Sequence, residues 1–409
     1  MMNSPEARAV SNVPWLFSRQ GLGLLALTTA IAATFLATDV TFLAGALLVV
    51  GLGAHAWSAL AFLRVSYTRR TSRSHAFCGD ELMLESVLAN PRPLPLPWIE
   101  VWEQLPSDLE PEGAAERSFT DPDRVWASRG LALWPYQRLR WRRRLVCRHR
   151  GVFRLGDVRL RSGDPFGIFE RERAWRDSLE LLVYPRVVPL RRLALPLHHP
   201  SLDVASPISP VADPTRTATV RDYRPDDARR MIHWPTSARR GSLQVRVPEP
   251  TTSLHVSLLL DARGFTFGIY HDELLELTLS ALASIAVFLQ GRGAPLALLA
   301  NTSVPLVLPP AASVPHLQLA LDSMARLEPR PGPALLPWAL EELPRGSTVL
   351  LASSDVAPEL DRSIAQLEAT GFHVLLLLAI NQVARDIKRR GTLSITPGCD
   401  LAARLEGRG

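Results

Sequence analysis

Residues 254–262 read LHVSLLLDA: Leu254, Val256, Leu258, Leu259 and Leu260 make an almost continuous apolar run that stops at Asp261. A half-solvated strand would alternate apolar with polar. A continuous run predicts a strand covered on both faces, as in a parallel sheet between layers of helices. The sequence downstream agrees. His271–Gln290 carries Leu274, Leu277, Leu282, Ile285 and Phe288 with helical periodicity. Pro295–Ala300 reads as a second buried strand, Val314–Leu327 as a second helix and Thr348–Ala352 as a third strand. Pro358–Thr370 is then a third helix and Phe372–Ile380 a fourth strand. Strands alternating with helices predict a doubly wound α/β domain over residues 251–409. Ligands of such sheets sit beyond the carboxyl ends of the strands. Asp261 ends the first strand and Asp355 follows the third, so both are predicted on the same rim.

Upstream the pattern is short strands. Leu82, Leu84 and Val87 lead to Asn90, a proline-rich link PRPLPLP follows, and Ile99, Val101 and Trp102 open the next strand. Residues 131–147 alternate poorly but are rich in Trp, Tyr and Arg. Residues 151–161, GVFRLGDVRLR, and Leu179–Tyr184 add further strands. This spacing, broken by Gly, Pro and Asp, predicts an all-β sandwich over 76–190. Residues 191–250 are expected to be a proline-rich connector that ends in a charged signature stretch.

Before the sandwich come two uncharged apolar stretches, Gly21–Ala37 and Thr41–Leu63, separated by Thr38, Asp39 and Val40. A membrane span needs about 20 apolar residues. Neither stretch has a polar face, so a tight antiparallel transmembrane hairpin within residues 1–75 is preferred to a buried hairpin of a soluble domain. Arg8 and Arg19 precede the first span, and Arg64, Arg69, Arg70 and Arg73 follow the second. The positive-inside rule then puts both termini and the soluble domains in the cytoplasm, at the inner membrane. A cleaved signal peptide is the rival for the first stretch, and it would not move the arginines after the second.

Composition excludes several classes. The three cysteines, Cys78, Cys147 and Cys399, are far apart and show no C-x-x-C spacing, so neither a disulfide framework nor a zinc knuckle is expected. The formal charge of +6 is too mild to call for nucleic acid. No phosphate-binding G-x-x-x-x-G-K-[ST] loop, G-x-S-x-G elbow or H-E-x-x-H motif occurs. The densest charge run is Arg138, Arg140, Arg142, Arg143, Arg144, Arg148 and Arg150, interleaved with Trp134, Tyr136 and Trp141. It reads first as a solvated strand face and second as a surface for anionic lipid.

Residues 220–247, VRDYRPDDARRMIHWPTSARRGSLQVRV, are the most specific stretch. Paired acids beside paired arginines predict an ion-pair lock, with Tyr223 and Trp234 as anchors. A partner-binding surface is the second reading and catalysis the third, since catalysis needs a cleft and a shifted pKa. The stretch resembles the signature of the domain of unknown function 58 family. Tyr223, Pro225, Asp227, Arg230, Ile232, His233, Trp234, Ser237, Ala238, Arg239 and Gly241 match that pattern, whereas Asp226 stands where the family has glycine. A second hallmark is also present, in Arg150-Gly151, Gly163–Phe169 and Val183–Arg186.

The resemblance implies a von Willebrand factor A-like C-terminal domain and a MoxR-type AAA+ ATPase as partner. Domains of that kind often bind Mg²⁺ through D-x-S-x-S. Here Arg263 and Phe265 replace both serines, so the rim of Asp261, Arg263 and Asp355 is a degenerate metal site. No metal or other cofactor is expected, and Arg263 is expected to aim its guanidinium at Asp261 or Asp355. The functional expectation is a membrane-anchored, non-catalytic interaction platform touching membrane lipid and that ATPase. The alternative is an unrecognised hydrolase using the Asp/Arg/His signature stretch.

Overall fold

The computed structural model describes residues 8–9, 14–35, 38–111, 115–117, 122–175, 179–195, 212–223, 232–250, 255–266, 270–344, 347–354, 358–381 and 391–408. They form two compact units, Met1–Tyr184 and Pro185–Gly409.

The first unit opens with two helices, α1 (Arg19–Thr34) and α2 (Thr38–Leu60). Ser18 caps α1 by accepting the Gly21 N–H at 3.1 Å. The helices run antiparallel, with Gly45 beside Thr29 and Gly51 beside Leu22 and Phe17. A Cβ on Gly51 would lie 2.7 Å from Leu22 Cδ2 and 2.9 Å from Phe17 Cδ1, so a larger residue there requires these two side chains to shift. Among the described residues α2 is the one helix long and apolar enough to cross a membrane. At 16 residues α1 is shorter than the sequence predicts.

The strands of this unit are β1 (Arg8–Ala9), β2 (Ser66–Thr71), β3 (His75–Phe77), β4 (Glu81–Ala89), β5 (Leu96–Pro106), β6 (Leu109–Pro111), β7 (Ala115–Arg117), β8 (Arg124–Leu133), β9 (Arg138–Cys147), β10 (Gly151–Leu155), β11 (Val158–Gly163), β12 (Glu170–Trp175) and β13 (Leu179–Tyr184). They build three sheets, ordered β1-β12-β11-β5-β8-β7, β2-β4-β9-β6 and β10-β13-β3. The two larger sheets share one core: Ile99, Val101, Leu133 and Leu160 of the first meet Tyr67, Leu88 and Trp141 of the second. In β4 the buried residues are Leu82, Leu84, Ser86 and Leu88, alternating with outward ones. The period of two also governs β9, which reads poorly in the sequence. Trp141, Leu145 and Cys147 are buried, and Arg138, Arg140, Arg142 and Arg144 point outward. Arg140 and Arg142 reach Glu85 at 3.3 and 3.1 Å, and Arg144 reaches Glu81 at 3.3 Å. Inside the stack, buried Glu103 accepts from the Tyr67 hydroxyl and from Ser86 Oγ, and lies 3.6 Å from Arg143.

The second unit begins with an antiparallel ribbon, β14 (Ala212–Asp222) and β15 (Gln244–Pro250), with α3 (Trp234–Arg240) between them. There follow β16 (Val256–Leu260), α4 (His271–Gln290), β17 (Leu296–Ala300), β18 (Leu306–Ala311), α5 (Val314–Arg326), α6 (Leu335–Glu342), β19 (Thr348–Ser353), α7 (Pro358–Ala369), β20 (His373–Ala379), β21 (Thr392–Ile395) and α8 (Leu401–Glu406). Six strands form one sheet in the order β18-β17-β16-β19-β20-β21, with only the β17–β18 pairing antiparallel. Every residue of β16 is buried, as its continuous apolar run predicts. Leu259, Leu299, Leu351 and Leu376 pack beneath α6 and α7. The alternate residues turn to the other face, where α4 packs on β17 and β20. The buried stripe of α4 runs through Leu275, Leu279, Leu282, Ala286 and Leu289, so predicted Leu274, Leu277 and Phe288 flank it.

The strap before this unit's ribbon is pinned at three points. The Val188 N–H donates to Ser284 Oγ at 3.0 Å, Arg191 N–H to Glu406 Oε1 at 2.7 Å and Ala194 N–H to Leu405 O at 2.8 Å. The Arg191 bond holds the Glu406 carboxyl below its usual range.

Candidate functional site

In chain order the six strands lie 3-2-1-4-5-6, so the crossovers diverge between β16 and β19. The crevice of a doubly wound sheet opens at that point, beyond the carboxyl ends of the strands. Asp261 leaves the end of β16 there, with 7% of its surface exposed. Its Oδ1 accepts from Asn301 Nδ2 at 3.0 Å and its Oδ2 from Ser353 Oγ at 3.3 Å. Asn301 follows β17 and Ser353 ends β19, and both are fully buried. Asn301 Oδ1 accepts the Ala262 N–H at 2.6 Å, and its Nδ2 also lies 3.4 Å from Pro333 O. One amide thus ties the carboxylate, the backbone after β16 and a neighbouring loop together.

Past Asp261 the chain makes a single 3-10 turn, Ala262–Phe265, with Phe265 fully buried beneath it. The Ser354 hydroxyl closes the turn from β19 by donating to Gly264 O. Arg263 is exposed. Asp261 carries a neutral amide and a neutral hydroxyl, positioned by the ends of the flanking strands. Asp355 lies outside the described residues. Among the described residues no three His, Cys, Asp or Glu side chains gather as a ligand set. Each carboxylate oxygen thus accepts one bond from a buried neutral donor, and removing either donor would leave part of a buried charge unsatisfied.

Asn301 and Ser353 are absent from the sequence-based site. Their signal is positional: a polar residue directly after, or last in, an apolar strand of the same sheet as Asp261.

The signature stretch divides. Pro225, Asp227 and Arg230 lie outside the described residues. The rest forms a compact cap. Ile232 bridges Val245, and the His233 N–H donates to Gln244 O at 2.8 Å. His233 is the N-cap of α3, its Nδ1 accepting the Thr236 N–H at 3.2 Å, and Pro235 suits the first turn. Ser237, buried, donates to His233 O at 3.0 Å and accepts the Gln244 N–H at 2.9 Å. Gly241 closes the helix in the left-handed region at φ 70°, which glycine adopts without strain. Buried Gln244 donates to Asp222 Oδ1 and to Ser242 Oγ at 3.1 Å. The Tyr223 N–H bonds Leu243 O at 2.9 Å. The anchor expected at Trp234 is corrected: it stands 65% exposed, because the helix start turns it outward, and Ser237 is the buried residue instead. Arg239 is exposed on the same helix.

Residues 219–381 match the family described as "Protein of unknown function DUF58". An "Uncharacterized protein YeaD" of Bacillus subtilis (strain 168) is 29% identical over 235 residues, which cover 56% of this chain and 54% of that protein. The chain therefore spans about half the length of this curated relative, 54%. Among solved structures, a cohesin module from a Clostridium perfringens ATCC13124 family 33 glycoside hydrolase matches at 11% identity. It covers 29% of this chain and 96% of its own, with a TM-score of 0.21. Proximal thread matrix protein 1 from the mussel byssus matches at 15% identity over 38% of this chain and 46% of its own, with a TM-score of 0.28. Scores this low carry no argument about the fold.

Proposed function

The chain belongs to the DUF58 family, and from that premise we propose a membrane-anchored, non-catalytic platform for protein interactions at the cytoplasmic surface of the inner membrane, working with a MoxR-type AAA+ ATPase. The observation that carries this reading is the helix pair. Phe42, Leu43 and Val49 on α2 and Leu27 on α1 are exposed, so the pair presents apolar side chains outward instead of burying them. A surface of that kind calls for lipid. The short strand before α1 supports a two-pass path: Arg8 pairs with Glu172 and Ala9 with Arg171, in the same unit that follows α2. Both ends of the hairpin then return to one side, and the arginines around them make it the cytoplasmic side.

The α/β unit serves as the von Willebrand factor A-like part. Helices on both faces of its sheet and an acid ending its first strand support that assignment. With Asp261 held by Asn301 and Ser353, the rim works by contact through exposed groups such as Arg263, without a bridging cation.

The test is capture of the full-length chain from membranes after mild crosslinking, with mass spectrometry of the partners. Enrichment of an AAA+ ATPase that falls with Arg263→Glu is expected. Membrane-inserted chain that enriches no ATPase overturns the partnership. A reporter active only outside the cytoplasm, fused after Gly409, should be silent, and activity there overturns the orientation.

A further inference from the structure

Two turns of the first unit hold bare aromatic side chains beside the end of α2. We propose that these turns, at Trp134–Tyr136 and at Phe166, dock into the headgroup layer of the bilayer that α2 enters, so that the β unit lies on the membrane instead of swinging from it. The inference rests on the reading of α1 and α2 as membrane helices.

The joint between α2 and the strands comes first. Helix ends leave carbonyls unpaired. Here buried Arg92 donates to Leu60 O and, at 2.6 Å, to Ala61 O, while Arg173 donates to Phe62 O at 2.8 Å. Guanidinium groups at a helix C-terminus are favoured by the macrodipole. Burial lowers both arginines from their ordinary value, Arg92 being buried and Arg173 half-buried at the joint. The sheets are thereby fixed in angle to the helix.

From that joint the first aromatic turn is one hydrogen bond away. The Tyr136 N–H donates to Arg92 O at 3.1 Å, and Asn90 Nδ2 donates to Trp134 O at 3.2 Å. The turn joins β8 to β9, and its tips are 66% exposed at Trp134 and 71% at Tyr136. Tyr136 also sits at φ 57°, a region side-chain-bearing residues seldom adopt. Strain at an exposed aromatic points to a use for its position.

The second turn is built to hold Phe166 out. Fully buried Asp164 accepts the Phe166 N–H at 2.8 Å and the Phe169 N–H at 2.5 Å, and Gly167 turns the chain at φ 69°. Phe169 packs edge-on against His55 of α2, with ring centroids 5.1 Å apart. His55 lies five residues before the end of α2, so this turn reaches roughly 7.5 Å back along the helix, at 1.5 Å per residue. Phe166 itself is 69% exposed.

Depth decides the occupant. The 23 residues of α2 span about 34 Å, while the hydrocarbon layer is about 30 Å thick. The excess of about 4 Å puts the last turn of α2 at headgroup level, and the Phe166 turn, packed at His55, at the boundary between the headgroups and the hydrocarbon. Tryptophan and tyrosine concentrate at that level because their rings are apolar at one end and wet at the other. Exposed Arg64 and Arg138 flank the aromatics and suit anionic headgroups. The Gly163–Phe169 hallmark thus acquires a physical role, a rigid mount for one membrane-facing ring.

The test uses the full-length chain in vesicles of phosphatidylcholine and phosphatidylglycerol. Cys78→Ser and Cys399→Ser remove the half-buried thiols, and Cys147 stays because burial pushes its thiol up to about 11. Nitroxide labels are attached one at a time through Tyr136→Cys, Phe166→Cys, Val49→Cys and Met83→Cys. Met83 is exposed on β4, six residues before the strand end nearest the joint, or about 20 Å away. Collision with oxygen and with a water-soluble nickel chelate reports depth. The expected result is a deep Val49 label, a water-exposed Met83 label, and labels at 136 and 166 shielded from nickel several-fold more than at 83. A deep Val49 label with 136 and 166 as accessible as 83 overturns the docking and leaves the anchor standing. A nickel-accessible Val49 label overturns both. If a cysteine variant does not fold, brominated lipid is added to the parent and to Trp134→Phe. Loss of a quenched emission component in the variant supports the docking, and equal quenching overturns it.

Discussion

Asn301→Ala is the sharpest probe of the rim. The substitution removes the bonds of a fully buried amide to the Ala262 N–H at 2.6 Å, to Asp261 Oδ1 at 3.0 Å and to Pro333 O at 3.4 Å. A hydrogen bond to a charged group contributes about 1.5–3 kcal/mol, and a stranded buried N–H costs about 1–3 kcal/mol. The two losses share one side chain and do not add fully, so about 3 kcal/mol is expected, against a domain total of roughly 5–15 kcal/mol. The chain folds as two units, so no single melting transition reports this cleanly. Hydrogen exchange of the intact protein does, strand by strand. Amides of Val256–Leu260 and Leu296–Ala300 should lose roughly 100-fold in protection, since about 1.4 kcal/mol is tenfold, while β5 and β8 keep theirs. Asn301→Asp preserves shape but sets a second acid beside Asp261. Like charges raise a carboxyl pKa, so its defect should shrink as pH falls. Protection within twofold of the parent for Asn301→Ala would refute the assignment of Asp261 as a structural acceptor.

Gly51→Leu should separate α1 from α2, because even a Cβ comes within 2.7 Å of Leu22 Cδ2 and 2.9 Å of Phe17 Cδ1. Overpacking of this kind costs about 1–3 kcal/mol, and a lower thermal midpoint in detergent measures it. Burial first, and then the Glu103 carboxylate, raise the Tyr67 phenol well above its usual range. Below pH about 10 both folded and unfolded forms stay protonated; above it only the unfolded chain releases the proton, so stability should fall as pH rises. Denaturation across that window should be flatter for Tyr67→Phe, and identical slopes would remove Tyr67 from the account. Millimolar Mg²⁺ should leave exchange at the rim unchanged, because Asp261 already accepts from Asn301 and Ser353. A saturable gain in protection, lost in Asp261→Ala, would reinstate a metal.

The α/β unit was legible because burial on both faces writes itself into composition. Val256–Leu260, Leu296–Ala300, Thr348–Ser353 and His373–Ala379 are all apolar runs. What escaped lies at edges and in prolines. β18 holds Pro309 and Pro310, which a strand tolerates only at a sheet edge, and that is where it lies. Pro337 hides α6 because the residue sits in the first turn, where its missing N–H costs nothing. The alternation of β9 was masked by arginines, whose long stems read as neither face until the partners Glu81 and Glu85 are seen across the ladder. The carboxyl-end location of Asp261 was legible from order alone, whereas its partners were not. Asn301 and Ser353 come from strands separated from it by 40 and 92 residues, and only the strand order makes them neighbours.

That separation bears on what the rim is for. Three strand ends that lie far apart in the chain are laced by one carboxylate, one amide and one hydroxyl, all withdrawn from solvent. A catalytic acid or base must reach a substrate proton directly or through one water, and a metal site must keep lone pairs free for the ion. Asp261 is withdrawn from solvent, and Asn301 and Ser353 each take one acceptor site on it, which holds its orientation. The polar atoms at this switch point stiffen the sheet's end, and Arg263 on the 3-10 turn faces outward. A surface held by buried polar groups that bond one another can change its exposed residues without losing its shape. This also explains how Arg263 and Phe265 can stand where serines are expected: Phe265 fills the space beneath the turn and Arg263 points to solvent.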